Sequence, residues 1–124
     1  MNANNPEVLL IDDDRDICRM MESILKQAGF HVQYCLSPER VHQYVLTLKP
    51  RVIVMDMFLS GMDGTDICRK LKSDPHTSGI QIIMMSAHPD AEQLCRSALA
   101  DQFISKPFDI DDFLDKVKAA FASP

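Results

Sequence analysis

Short, nearly continuous apolar runs alternate along the chain with longer stretches in which apolar residues recur every three or four positions. The first run, Glu7-Val8-Leu9-Leu10-Ile11-Asp12, reads as a strand that ends in acid. Ile17, Met20, Met21, Ile24, Leu25 and Ala28 then mark one face of a helix, with Gly29 placed to stop it. Phe30 to Cys35 reads as a second strand, and Ser37-Pro38 as an N-cap with proline at the first helical position. The inner face of that helix is Val41, Tyr44, Val45 and Leu48, and Pro50 ends it. Arg51 to Asp56 is a third apolar run that again closes in acid. Ser60-Gly61-Met62-Asp63-Gly64 is turn chemistry before a helix carrying Ile67, Cys68 and Leu71. A fourth strand, Ile80 to Met85, ends at Ser86; a helix near Asp90 to Ala98 and a short strand, Gln102 to Ser105, follow. Asp109 caps a last helix whose inner face is Ile110, Phe113, Leu114, Val117 and Phe121.

Five β–α units joined by short connections imply an α/β domain. Strands apolar on both faces and separated by helices predict a parallel sheet covered on both sides. Right-handed crossovers make that sheet doubly wound. Ligands in such folds bind at the carboxyl ends of the strands. Asp12, Asp13 and Asp14 follow the first strand, Asp56 ends the third, Ser86-Ala87 the fourth and Lys106-Pro107 the fifth. Asp14 directly precedes the helical pattern and reads as its cap. The remaining carboxylates, hydroxyl and ammonium converge on one rim, although any one of them alone would be an ordinary loop or surface residue.

Clustered carboxylates repel one another unless a cation sits among them, and a few oxygen ligands with room for water suit Mg²⁺. A carboxylate is also a competent nucleophile toward phosphorus. Phosphoryl transfer is mostly positioning and charge neutralisation, which a cation and a lysine supply.

Composition narrows the choice without changing it. The 124 residues, 46% hydrophobic and 25% charged, suit one soluble globular domain, taken as 1–124 with no internal repeat. A net charge of −5 argues against a surface dominated by nucleic-acid binding. Cys18, Cys35, Cys68 and Cys95 show no C-x-x-C spacing, so buried or half-buried reduced thiols are expected. No apolar run reaches membrane-spanning length and the polar start is no signal peptide, so the expected location is the cytoplasm.

Leu9-Leu10-Ile11-Asp12-Asp13-Asp14, Val54-Met55-Asp56, Gly61-Met62-Asp63-Gly64, Met85-Ser86-Ala87 and Phe103-Ile104-Ser105-Lys106-Pro107-Phe108 together resemble the receiver domains of bacterial response regulators. The resemblance runs from about Glu7 to Phe121 and implies a flavodoxin-like sheet of order 2-1-3-4-5 with five helices. It implies that Asp56 accepts a phosphoryl group from a phosphohistidine on a sensor histidine kinase or histidine phosphotransfer protein. Mg²⁺ would be bound by Asp13 and Asp56, by Asp12 largely through water, and by the backbone carbonyl of Phe58. Lys106 would pair with the phosphoryl group, while Ser86 and Phe103 would act as the switch pair. The Lys106-Pro107 bond would be cis. The implied role is that of a signalling phosphoacceptor, which catalyses only its own phosphorylation and dephosphorylation. It would signal to a downstream effector or an attached output domain, with no nucleic acid or membrane bound by the domain itself.

Three features depart from that pattern or stand apart from it. Ser60 occupies a position that is often Pro, which suggests a looser loop after Asp56. Leu99 stands where the family commonly has Gly, so the fourth helix is expected to end in a different geometry. Phe58 and His88 flank the pocket, His88 as a solvated loop residue, and His31, His42 and His76 carry no ligand spacing. Two rival classes fit less well. An aspartyl-phosphate phosphatase usually needs an acid where Phe58 stands, and a flavin carrier needs a glycine- and hydroxyl-rich loop where three aspartates stand.

Overall fold

The computed structural model describes residues 6–59 and 61–122. In chain order the elements are β1 (Val8–Ile11), α1 (Arg15–Gln27), β2 (Val32–Cys35), a 3-10 turn (Pro38–Arg40), α2 (Val41–Leu48) and β3 (Val52–Asp56). They continue with β4 (Phe58–Leu59), β5 (Met62–Asp63), α3 (Gly64–Ser73), β6 (Gln81–Ser86), α4 (Ala91–Ser97), β7 (Gln102–Ser105) and α5 (Ile110–Ala122). The main sheet is parallel throughout, in the order β2-β1-β3-β6-β7. With the small β4–β5 hairpin set aside, this is the flavodoxin-like order 2-1-3-4-5.

Alternation along the strands divides the core in two. Leu9, Ile11, Ile53, Met55, Ile82 and Met84 face α2, α3 and α4 through Val45, Ile67, Leu71 and Cys95. Val8, Leu10, Val54, Ile83, Met85 and Ile104 face α1 and α5 through Met21, Leu25, Phe113 and Val117. Each fully buried side chain of this size contributes roughly 1.5–3 kcal/mol. The four cysteines are buried free thiols. Burial pushes Cys18 up to about 12 and Cys68 and Cys95 up to about 11, so none is a ready nucleophile.

Helix ends follow local chemistry. The Asp14 carboxylate accepts the amides of Asp16 and Ile17 at 3.0 and 3.3 Å, and Asp109 accepts the amide of Asp112 at 3.0 Å. After α1, Gly29 (φ 97) donates its amide to Lys26, and Phe30 donates to Leu25. This is the hydrogen-bond pair of a Schellman motif. α4 ends the same way: Leu99 donates to Arg96 and Ala100 to Cys95, with Leu99 at φ 72. The different ending expected at Leu99 is therefore corrected. The two capping bonds hold leucine in the left-handed region, at a cost of about 1–2 kcal/mol.

Other expectations also change. Ser37 is the N-cap of the 3-10 turn that precedes α2, with Pro38 at its first position, but its side chain makes no capping hydrogen bond. The segment after Asp56 is a hairpin, with Phe58 opposite Asp63 and Leu59 opposite Met62. Ser60 lies outside the described residues. Met20, Tyr44 and Ile110 are exposed by 48%, 40% and 55%, because the sheet covers a narrower stripe than the apolar arc of each helix. Ala28, counted on the inner face of its helix, is exposed at its end.

Candidate functional site

The parallel register brings the carboxyl ends of β1, β3, β6 and β7 to one rim. Asp12 leaves β1 with only 1% of its surface exposed. Its Oδ1 accepts the Asp14 amide at 2.9 Å, while the buried Oδ2 has no hydrogen-bond partner. Burial pushes this carboxyl from the usual 3.8 up to about 6. The Asp14 amide opposes that rise, Asp56 adds to it, Lys106 lowers it and Asp13 raises it further. At this buried oxygen two neighbouring carboxylates thus act against one lysine.

Asp56 closes β3. Its Oδ1 accepts the Phe58 amide at 3.3 Å, and its Oδ2 meets Lys106 Nζ at 3.1 Å. Lys106 Nζ also stands 3.8 Å from Asp12 Oδ2, within ion-pair range but too far for a hydrogen bond. The lysine arrives from the β7–α5 connection, which is tied back by its own amide donating to the Ser86 carbonyl at 2.9 Å. The Lys106–Pro107 peptide bond is cis. Ser86 is buried at the end of β6, one residue beyond Met85, the ladder partner of Asp56. Its Oγ accepts the His88 amide at 3.0 Å, which leaves the hydroxyl proton free to be donated.

The structure therefore gathers Asp12, Asp56 and Lys106 within ion-pair reach, with Asp13 next along the chain and Ser86 on the adjoining strand. Phe103 is not among them. It sits half-buried on β7, opposite Met84 in the ladder, beside α4 residues Cys95 and Arg96. Phe58 is 55% exposed, and its ring lies 6.2 Å from that of His88. His88 is exposed, yet its Nδ1 accepts the Asp90 amide at 3.1 Å, so the ring is oriented as well as solvated.

Several features escaped the sequence. An apolar groove of about 360 Å³ adjoins Lys106, lined by Ile17, Met20, Pro107, Phe108 and Ile110. Three of these residues belong to the helix periodicities, which identified the apolar arc but not the part left uncovered. His42 and His76 share the Asp74 carboxylate at 2.9 and 3.1 Å. The His76 amide, followed by the His42 ring, holds Asp74 below the usual carboxylate range. The cluster links α2 to the turn after α3, and no ligand spacing announced it. At the amino ends of β6 and β7, Lys72 and Asp101 form a second close pair.

Comparison with known proteins agrees with this geometry. The family profile for the response regulator receiver domain matches residues 8–118. The DNA-binding dual master transcriptional regulator RpaA of Synechocystis sp. is 30% identical over 92% of this chain and 48% of its own length. The DNA-binding response regulator MtrA of Mycobacterium bovis is 31% identical over 96% of this chain and 52% of its own. The chain spans about half the length of the curated relatives it matches. Among solved structures, a candidate response regulator from Chloroflexus aurantiacus J-10-fl superposes with a TM-score of 0.88 at 30% identity, covering 95% of this chain and 99% of that one. The signal receiver domain of a response regulator from Bermanella marisrubri gives 0.85 at 25% identity, covering 92% and 96%. The chain belongs to the response regulator receiver domain family.

Proposed function

We propose that residues 1–124 act as a single phosphoacceptor unit in which Asp56 takes a phosphoryl group from a phosphohistidine of a sensor kinase or histidine phosphotransfer protein. The observation that carries this reading is the Asp56 carboxylate held 3.1 Å from the Lys106 ammonium, beside a buried Asp12 oxygen with no hydrogen-bond partner. An Asp56 oxygen forms the new bond to phosphorus as the phosphorus–nitrogen bond to the donor imidazole breaks. Lys106 exchanges its contact with the carboxylate for one with a phosphoryl oxygen, and Ser86 donates its hydroxyl proton to another. No outside substrate is turned over; the domain promotes only its own phosphorylation and dephosphorylation.

The donors fit Mg²⁺. They are all oxygens, one of them is buried without a hydrogen bond, and on top of burial Asp56 and Asp13 both raise the Asp12 carboxyl, against which Lys106 is the opposing charge. Among the described residues no three His, Cys, Asp or Glu side chains form a ready cage. Such a site suits a cation that keeps much of its water. Asp13 and Asp56, with Asp12 largely through water and the Phe58 carbonyl, would hold the ion, which when bound neutralises developing charge on the phosphoryl oxygens.

Phosphorylation adds charge at the rim, and Ser86 and Phe103 would report it to the α4–β7–α5 surface and so to an effector or attached output domain. A cytoplasmic, bacterial setting follows from this role. Among the described residues no helix is long and apolar enough to cross a membrane.

Incubation with acetyl phosphate and Mg²⁺, followed by intact mass measurement, tests the reading. One hydroxylamine-labile phosphoryl group is expected, and it should be absent from Asp56→Ala. An adduct that persists in that variant contradicts the reading.

A further inference from the structure

Two glycines of the segment Gly61-Met62-Asp63-Gly64 have different physical reasons to be glycine. Gly61 lies at φ 73, and a Cβ there would meet nothing within 4 Å, so its constraint is the backbone conformation alone. Gly64 has no left-handed backbone, and its constraint is space. A Cβ at Gly64 would stand 2.6 Å from the Asp56 carbonyl oxygen, 2.8 Å from that of Met57 and 3.1 Å from Met57 Cα. The obstacles are backbone atoms, which cannot turn aside as a flexible side chain could.

The same corner is tied by hydrogen bonds. The Gly64 amide donates to the Met57 carbonyl at 2.7 Å, and Asp63 pairs with Phe58 in the β4–β5 hairpin. The backbone of Asp56, Met57 and Phe58 is therefore held from one side by two residues at the start of α3. On the other side, the Met57 amide donates to the Met85 carbonyl at 2.8 Å. Together these contacts fix the platform from which the Asp56 side chain projects.

We propose that Gly64 is a positioning residue for the phosphoacceptor: its missing side chain lets the first turn of α3 seat on the backbone of Asp56 and Met57, and that seat aims the Asp56 carboxylate. This inference rests on the reading of Asp56 as the acceptor. A methyl group at Gly64 forces α3 and the end of β3 apart by about 0.4 Å before the closest contact even reaches 3.0 Å. The displacement falls on the residue that must meet phosphorus in line.

The test compares Gly64→Ala with Gly61→Ala in the whole chain, following phosphoryl uptake from acetyl phosphate with Mg²⁺ by intact mass across donor concentrations. Thermal unfolding is measured alongside. Both variants should melt lower than the wild type. Only Gly64→Ala should lose uptake rate at saturating donor, on the order of 10- to 100-fold, as expected for misplacing a reacting group by a fraction of an ångström to an ångström. Gly61→Ala should keep the wild-type rate, because it is destabilised without moving Asp56. A folded Gly64→Ala with the wild-type rate, or equal slowing in both variants, overturns the proposal. If Gly64→Ala does not fold, hydrogen exchange of the Gly64 amide in the wild type decides: strong protection is expected, and free exchange overturns the seat. A wild type that takes up no phosphoryl group contradicts the acceptor reading instead, and the exchange measurement still decides the seat.

Discussion

Two lysine–aspartate pairs lie at opposite ends of the central sheet, and they differ in how fully they are satisfied. At the amino ends of β6 and β7, Lys72 Nζ meets Asp101 Oδ2 at 2.6 Å and donates to the Ile80 carbonyl at 2.8 Å. The same Asp101 oxygen also accepts the Ile82 amide at 2.8 Å. At the carboxyl ends, Lys106 is shared between Asp56 and Asp12 at 3.1 and 3.8 Å, and a buried Asp12 oxygen has no hydrogen bond. A pair whose donors and acceptors are matched holds structure together. A pair with too much negative charge is incomplete until something cationic joins it. Both ends are lysine plus aspartate, so the difference lies in the surrounding geometry.

The largest effect should come from breaking the satisfied pair. Lys72→Ala leaves Asp101 without its cation and the Ile80 carbonyl without its donor. Because 27% of the Asp101 side chain is exposed, the loss should be roughly 2–3 kcal/mol, below the full value for a buried pair. Urea unfolding should show that loss whether or not Mg²⁺ is present. Lys106→Ala should cost less, about 1 kcal/mol, because the pair it breaks is longer and shared. Added Mg²⁺ should recover that loss and should still bind, while the conformational response to phosphorylation is blunted. Loss of metal binding in Lys106→Ala would contradict the role given to the lysine.

Of similar size, Asp12→Asn should stabilise the metal-free domain by roughly 1–2 kcal/mol, since it removes a buried charge that burial and Asp56 disfavour. The folded-state value is raised, so ionised Asp12 weakens folding at high pH. The gain from asparagine should therefore be full above about pH 6 and fade as the pH falls toward 3.8. The same variant should bind Mg²⁺ more weakly. A stabilised protein with unchanged Mg²⁺ affinity would remove Asp12 from the metal site.

The smallest effect keeps the two ends separate. Leu99→Gly relieves a left-handed leucine and should stabilise the domain by about 1 kcal/mol, since Gly29 shows that the same helix ending suits glycine. The change lies near Asp101, on the satisfied side, so it should add to Asp12→Asn without coupling. Phosphoryl uptake should not change. Thermal melts of the two single variants and the double variant check both statements.

The five-stranded order was legible because each strand is an apolar run and each connection carries a helical period, which leaves few topologies. The rim was legible because parallel sheets bring the residues after their strands together, so Asp12, Asp56, Ser86 and Lys106 could be placed side by side without coordinates. What escaped is what depends on distance. Met20 and Ile110 belong to the apolar arc of their helices by spacing, yet they border an open groove. Gly61 and Gly64 look alike as turn residues; only the approach of the Asp56 backbone separates a conformational glycine from a steric one. The Asp12 oxygen without a hydrogen bond and the well-paired Asp101 Oδ2 are properties of neighbours brought in from other elements. Leu99 was visible as a departure, but its backbone was not, because the capping bonds outweigh the preference of the side chain.

The central claim is that Asp56, on the unsatisfied side, is the residue that carries the phosphoryl group. Borohydride reduction of the phosphorylated protein converts an aspartyl phosphate to homoserine, and peptide sequencing then locates it. Homoserine at position 56 alone is the result expected, and homoserine at Asp12 or Asp13 instead, or none at all after phosphoryl uptake, would contradict it.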